Sequence, residues 1–290
     1  MKAMVVLALL LASACNGSRK APAPDDTMMR QDAHAASLAL SLERPKEAVA
    51  QYKLALERAL ARDDAVAIGD YGYNMAVAEL AGNQPDAALA TVRMTRAELA
   101  RRGAASFAAL DLAEATACYR MGDEATSDRL ATQVEMGGEP VAAHRAAFLR
   151  GLIAVDMNDG AGLDRAITRL GGATLPDEQA DLAELVARRD IREGTFAAAV
   201  EPAAHAADLR RDTLDYRGMA RALAVVADAD ALAGHARLAA NYYMRAGQSA
   251  AAQGDAATAL PWLQRAAELG DDASLHAAAR SAIAALPRQQ

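Results

Sequence analysis

The sequence has almost no cysteine. Cys15 and Cys118 are the whole complement of a 290-residue chain. There is no CxxC, so neither a thioredoxin-like redox centre nor a zinc ribbon has its ligands. Aromatic side chains make up only 4% of residues, against 53% hydrophobic residues overall, so the apolar content is mainly Ala and Leu. Ala is the best helix former and a poor strand former. No segment has the alternating, β-branched pattern of a strand, which leaves an all-α protein. A basic excess is also missing. The formal charge is −7, which argues against nucleic-acid binding and against broad adhesion to anionic lipid.

The signatures of common chemistry are absent too. There is no HExxH, GxSxG, Walker loop or GxGxxG. The histidines, His34, His144, His205, His235 and His276, form no cluster in sequence. The run DMNDGAGLD, Asp156 to Asp164, fails the calcium-loop register, since Gly160 falls at position 5 and Ile167 where the closing Glu belongs. It reads as a helix end and turn. Asp228 and Asp230 are two apart and point to different sides of a helix, so they read as a solvated face and not as an acid/base pair. No metal or cofactor is expected.

What is present begins at the N-terminus. Met1-Lys2 precede an apolar stretch, Met4 to Ala12, and then the small residues Ser13 and Ala14. This is the layout of a secretory signal peptide, and the stretch is too short to span a bilayer, which takes roughly 20 residues. The segment Ala12-Ser13-Ala14-Cys15 resembles a bacterial lipobox, with Ala12 where Leu is usual. The resemblance implies cleavage after Ala14, leaving residues 1–14 as signal peptide, and lipidation of Cys15. Asn16 after the cysteine, where Asp tends to retain such proteins at the inner membrane, points to the outer membrane facing the periplasm. Loss of Lys2 with the signal peptide takes the charge to −8. Residues 15–30 read as a lipidated tether, and Ala21-Pro22-Ala23-Pro24 favours extended polyproline II. Its residues after the cysteine reach roughly 45 Å at full extension.

From residue 31 to 287, helical runs alternate with short breaks. Gly122-Asp123, Gly194-Thr195 and Gly254-Asp255 each place a residue suited to a left-handed helix end before one suited to an N-cap. Pro45, Pro85 and Pro176 suit first helical turns. Such short links force antiparallel pairs. Cys118, in LDLAEATACYR, reads as a small buried hydrophobe.

The stretch NYYMRAGQSAAAQGDAATALPWLQRAAELG, Asn241 to Gly270, resembles a tetratricopeptide repeat. Tyr243, Ala246-Gly247 and Ala250 take the first-helix places, Gly254 the turn, and Ala259, Leu263 and Ala266 the second helix. Small residues at Gly247 and Ala259 allow close approach, and Tyr243 and Leu263 fill the flanking space. Weaker copies are Ala48-Tyr52-Ala55, Gly82 with Ala87 after Tyr71 and Met75, and Gly194 with Ala199, Ala203 and Ala206. Turns near Glu43, Gly82, Gly122, Asn158, Gly194 and Gly234 are 36 to 40 residues apart, longer than the usual 34, and the Gly254 unit is out of phase with Gly234. A generic α-solenoid or compact helical array is the structural alternative. Six or seven stacked pairs bury one continuous core and leave no room for a separate catalytic domain of roughly 100 residues.

The resemblance implies an all-α, TPR-like superhelix and a concave groove lined by first helices. Its frame puts Tyr119, Arg145, Phe148, Glu184, Arg188, Arg221 and Asp228 in that groove. The positively charged clamp that some members use for a peptide C-terminus is not recognisable. The expected function is a non-enzymatic adaptor, held to the membrane by lipid, that binds a periplasmic or envelope protein. The alternative is a helical polysaccharide-binding or polysaccharide-cleaving protein, with Glu184 among its acids and two carboxylates about 5–9.5 Å apart. Replacing Cys15 with Ser is expected to move the protein from the membrane to the soluble fraction on fractionation. Unchanged membrane retention would refute lipid anchoring.

Overall fold

The computed structural model describes residues 26–269 and 273–287. Cys15, the signal segment and the tether up to residue 25 lie outside the described residues. The described chain contains 14 α-helices and no strand. They are α1 Thr27–Ser41, α2 Pro45–Ala61, α3 Ala65–Ala81, α4 Pro85–Arg101, α5 Ala108–Arg120, α6 Glu124–Met136 and α7 Pro140–Asp156. There follow α8 Gly160–Leu170, α9 Pro176–Arg192, α10 Phe196–Asp212, α11 Tyr216–Leu232, α12 Ala236–Ala252, α13 Ala256–Leu269 and α14 Ala273–Ala285. The first helix takes in Thr27 to Arg30, from the end of the segment read as tether.

The breaks between helices are built by two consecutive residues. The first takes a left-handed conformation. The second donates its amide back to the carbonyl five residues earlier and, where it is aspartate, its carboxylate caps the next helix; Arg44, Gln84 and His235 make the amide bond without a side-chain cap. Asp123 shows both halves: its N–H reaches the Cys118 carbonyl at 2.9 Å, and its carboxylate accepts from the Thr126 amide at 3.1 Å. Asp64, Asp159, Asp215 and Asp255 do the same. Thr195 departs from expectation, because its hydroxyl donates to the Asp190 carbonyl and caps nothing. Pro45, Pro85 and Pro176 start helices as expected, and so does Pro140. The Asp156–Asp164 run is the end of α7, with Asn158 left-handed and Asp159 capping α8.

These turns keep the unit of about 40 residues and add a turn halfway through it that the sequence reading did not mark. Left-handed residues recur every 20 positions at Glu43, Asp63, Asn83 and Gly103, and again at Gly194, Leu214, Gly234 and Gly254. Each turn therefore closes one helix of 17 residues, and two such helices make the 40-residue unit. Gly234 and Gly254 are not out of phase; they bound α12. Counting from the left-handed residue also corrects the copy placed at Gly82 and Ala87. The turn residue is Asn83, with φ 55°, and the fully buried alanine is Ala88.

Five, nine and twelve positions after a turn come buried side chains. The sets are Ala48-Tyr52-Ala55, Ala88-Val92-Thr95, Ser127-Ala131-Val134, Ala199-Ala203-Ala206, Ala239-Tyr243-Ala246 and Ala259-Leu263-Ala266. The first member is small in every set, so the helix starts close against its predecessor. The spacing is one helical face. It occurs on α2, α4, α6, α10 and α12 and, at the C-terminal end, also on α13. Cys118 is buried as read, and its burial pushes the thiol pKa up.

Consecutive helices pack antiparallel, and the odd helices α3, α5, α7, α9 and α11 also touch one another in series. They form the inner layer of a superhelix, and the even helices stack outside. The curl is tight enough to bring the α3–α4 turn to the α12–α13 turn. There Asn83 Nδ2 donates to Asp255 Oδ1 at 3.4 Å, across 172 residues of sequence.

The α12–α13 contact gives a direct test of close packing. A Cβ added at Gly247 would lie 2.6 Å from Leu263 Cγ and 3.2 Å from the Ala259 carbonyl oxygen. A Gly→Ala change inside a helix normally gains up to about 1 kcal/mol. Here Gly247→Ala is expected to lower the thermal midpoint, and Ala259→Leu to cost roughly 1–3 kcal/mol by overpacking. An unchanged or raised midpoint for both variants rejects this packing.

Candidate functional site

The inner helices enclose a lumen of about 480 Å³. Helical spacing selects what faces it. On α7 these are Arg145, Phe148, Leu149 and Leu152; on α5, Leu112, Thr116, Tyr119 and Arg120; on α11, Arg217, Ala220 and Arg221. Steps of three and four bring such residues onto one helix face. The C-terminal wall adds Trp262 from α13 and Asp255 from its N-cap.

Beneath this surface sits a buried ionic node. Glu184 on α9 has no exposed area. Arg221 binds it with both prongs, Nε to Oε1 at 2.7 Å and Nη2 to Oε2 at 3.0 Å. Arg188, one turn along α9, donates to Oε1 from Nε at 3.2 Å and Nη2 at 3.0 Å. Arg210, from the end of α10, reaches Oε2 at 3.0 Å and also Asp181 and Asp215, each at 2.7 Å. Phe148 completes the node, with the guanidinium carbons of Arg210 and Arg221 both 5.3 Å from its ring centre. Four helices, α7, α9, α10 and α11, are tied here. Gly218 makes the space, since a Cβ there would lie 2.5 Å from Arg210 Cδ. Burial by itself would raise the Glu184 carboxyl, but Arg221, Arg188 and Arg210 outweigh it and hold it well below the usual carboxylate range.

Of the residues placed in the groove from the sequence, Tyr119, Arg145, Phe148, Arg188 and Arg221 line the lumen. Glu184 lies behind it, out of reach of solvent. Asp228 is not part of that lining; it accepts a hydrogen bond from the Tyr243 hydroxyl on α12, and burial raises its carboxyl. Asp230, two residues on, is buried and bonded to His235 Nδ1 at 3.1 Å. The solvated-face reading of Asp228 and Asp230 is thus corrected: each carboxylate is engaged by a side chain of its own. Tyr119 donates to Asp156 at 2.6 Å, and burial followed by this carboxylate raises its phenol pKa.

The sequence reading missed Arg120, Arg210, Arg217, Asp255 and Trp262. Arg120 and Trp262 had a signal, because each belongs to a helix face with other lumen residues. Arg210 sits on an outer helix and Asp255 on a turn, so only the curl of the superhelix brings them in. Lumen carboxylates are held by arginines: Asp181 and Asp215 by Arg210, and Asp255 by Arg217 at 3.3 Å. Among the described residues no group of three or more His, Cys, Asp or Glu is arranged to hold a metal ion.

Glu184→Gln would leave three guanidiniums around a neutral amide, and is expected to destabilise the fold by about 3 kcal/mol. The folded carboxyl titrates below its unfolded value of about 4.3. Its contribution is therefore complete above about pH 5 and is lost as pH falls through the unfolded pKa toward the folded one. Denaturant titrations across that window are expected to show a shallower acid-side loss for Glu184→Gln than for the parent. Parallel curves would exclude the node as a source of acid sensitivity.

No protein-family model matches the chain, and no curated protein matches it in sequence. Its structure is similar to that of a tetratricopeptide repeat protein from Parabacteroides merdae, at 11% identity over 89% of this chain and 98% of that one, with a TM-score of 0.50. A second similar structure is the C-terminal part of a TPR repeat-containing protein from Cytophaga hutchinsonii, at 15% identity over 89% of this chain and 95% of that one, with a TM-score of 0.41. The fold is a tetratricopeptide-repeat-like α-solenoid of antiparallel helix pairs.

Proposed function

We propose that this protein is a non-enzymatic, lipid-anchored adaptor of the bacterial cell envelope that holds a segment of a periplasmic or envelope protein in its lumen. The lumen is the observation that carries the reading. It combines the rings of Tyr119, Phe148 and Trp262 with several guanidiniums on a preformed concave wall. Aromatic rings and arginine are the side chains that most often anchor protein interfaces. The sequence supplies the anchoring half, through the signal segment and the lipobox-like Ala12-Ser13-Ala14-Cys15. Tethering raises the effective concentration of a bound partner at the membrane without requiring tight intrinsic affinity.

The polysaccharide reading gains less support. Its acid Glu184 is out of reach of any ligand, and the lumen carboxylates bonded to arginines are arranged to hold charge and not to deliver a proton. A photo-crosslinking residue in place of Thr116, on the lumen wall, is expected to capture a discrete protein in intact envelopes. The same residue in place of Arg129, exposed on the outer helix α6, is not. The Thr116 product should disappear with Arg145→Glu, a change at an exposed position that leaves the fold intact. Absence of any Thr116 product rejects the adaptor reading.

A further inference from the structure

The chain is acidic overall, yet its lumen is not. Six arginines and no lysine line it, against three aspartates. With Glu184 directly behind the wall, the balance is still positive, and a concave site with an excess of one sign of charge favours ligands of the opposite sign. The surplus is not spread evenly. Arg188, Arg210 and Arg221 are engaged with Glu184, and Arg210 also with Asp181 and Asp215. Arg217 is shared between Asp255 and the Gln253 carbonyl. Arg120 is different. Among the described residues it forms no ion pair, and its one hydrogen bond goes from Nη1 to the Leu80 carbonyl at 2.6 Å.

Arg120 is also crowded by its own kind. Desolvation by the surrounding walls, and then the fields of Arg217 and Arg221, push its guanidinium below the usual arginine range. Asp255 offsets this repulsion only in part, and arginine does not give up its proton in a protein, so an incoming anion would relieve the rest. Tyr119 is the preceding residue on α5, and Trp262 also lines the lumen, so flat apolar surface accompanies the charge. A guanidinium fork matches a carboxylate with two parallel hydrogen bonds.

We propose that Arg120, with Arg217 and Arg221 beside it, is an anion subsite that takes the side-chain carboxylate of an Asp or Glu within the bound segment. This rests on the adaptor reading and gives the partner its chemistry: an acidic stretch with flanking apolar residues.

The test uses the full chain and a hexaglutamate acetylated at its N-terminus and amidated at its C-terminus, so that only side-chain carboxylates are offered. Fluorescence anisotropy is expected to show binding that weakens as salt rises, and no binding of the equivalent hexalysine. Arg120→Gln should weaken binding by about tenfold, the loss of one charged hydrogen-bonding partner, and Arg120→Lys by less. Circular dichroism checks each variant. If Arg120→Gln disturbs the helices, Arg217→Gln, at another partly exposed arginine of the subsite, carries the comparison and should also weaken binding. Equal binding by every variant overturns the subsite. No hexaglutamate binding alongside an intact Thr116 crosslink overturns it while leaving the adaptor reading in place. Arginine-dependent binding of inorganic phosphate, without the peptide, assigns the cluster to a free anion and overturns the peptide assignment.

Discussion

How closely two helices can approach sets almost everything else in this protein. Helices of 17 residues are roughly 25 Å long, and long rods joined for the most part by three-residue breaks must lie side by side. Alanine or serine at the fifth position after a turn lets α2, α4, α6, α10 and α12 settle against their predecessors. Glycine does the same where a bulkier neighbour needs the space, as Gly72 does for Thr95 and Gly151 for Leu185. Dispersion energy is collected from many short contacts, which suits a chain with few large aromatics. Replacing these small side chains by larger ones would add apolar area and lose the fit.

The second organising element is ionic. Glu184 is a single buried charge satisfied by three guanidiniums, and it fixes the relative positions of α9, α10 and α11, while Phe148 brings in α7. Such a centre is costly to desolvate and adds little net stability over an apolar substitute. What it supplies is geometry: it orients Arg188, Arg210 and Arg221 so that their outer faces present charge to the lumen at defined places.

Much of the fold was legible in the sequence, for physical reasons that can be named. The Tyr243, Gly247, Ala259 and Leu263 pattern identified one helix pair down to the contacts between its side chains. Turn residues such as Gly122 and Gly254 stood out because glycine tolerates a positive φ. Their counterparts Asp63 and Leu214 did not, because leucine seldom takes that conformation and aspartate, though it does so more readily, is also common within helices and caps, and so the turn halfway through each unit of about 40 residues passed unmarked. The lumen was legible where a first helix carried its residues at regular spacing, as α7 carries Arg145 and Phe148. It was hidden where curvature does the work. Nothing local to Asn83 or Asp255 says that they meet, and the burial of Glu184 depends on Arg210 from a helix assigned to the outside.

The meeting of Asn83 and Asp255 has a mechanical consequence. One polar contact of this kind is worth on the order of 1 kcal/mol, little more than thermal energy. The Asn83–Asp255 bond therefore adds little to the holding together of the two ends of the spiral, and the curl is set by the helix packing between them.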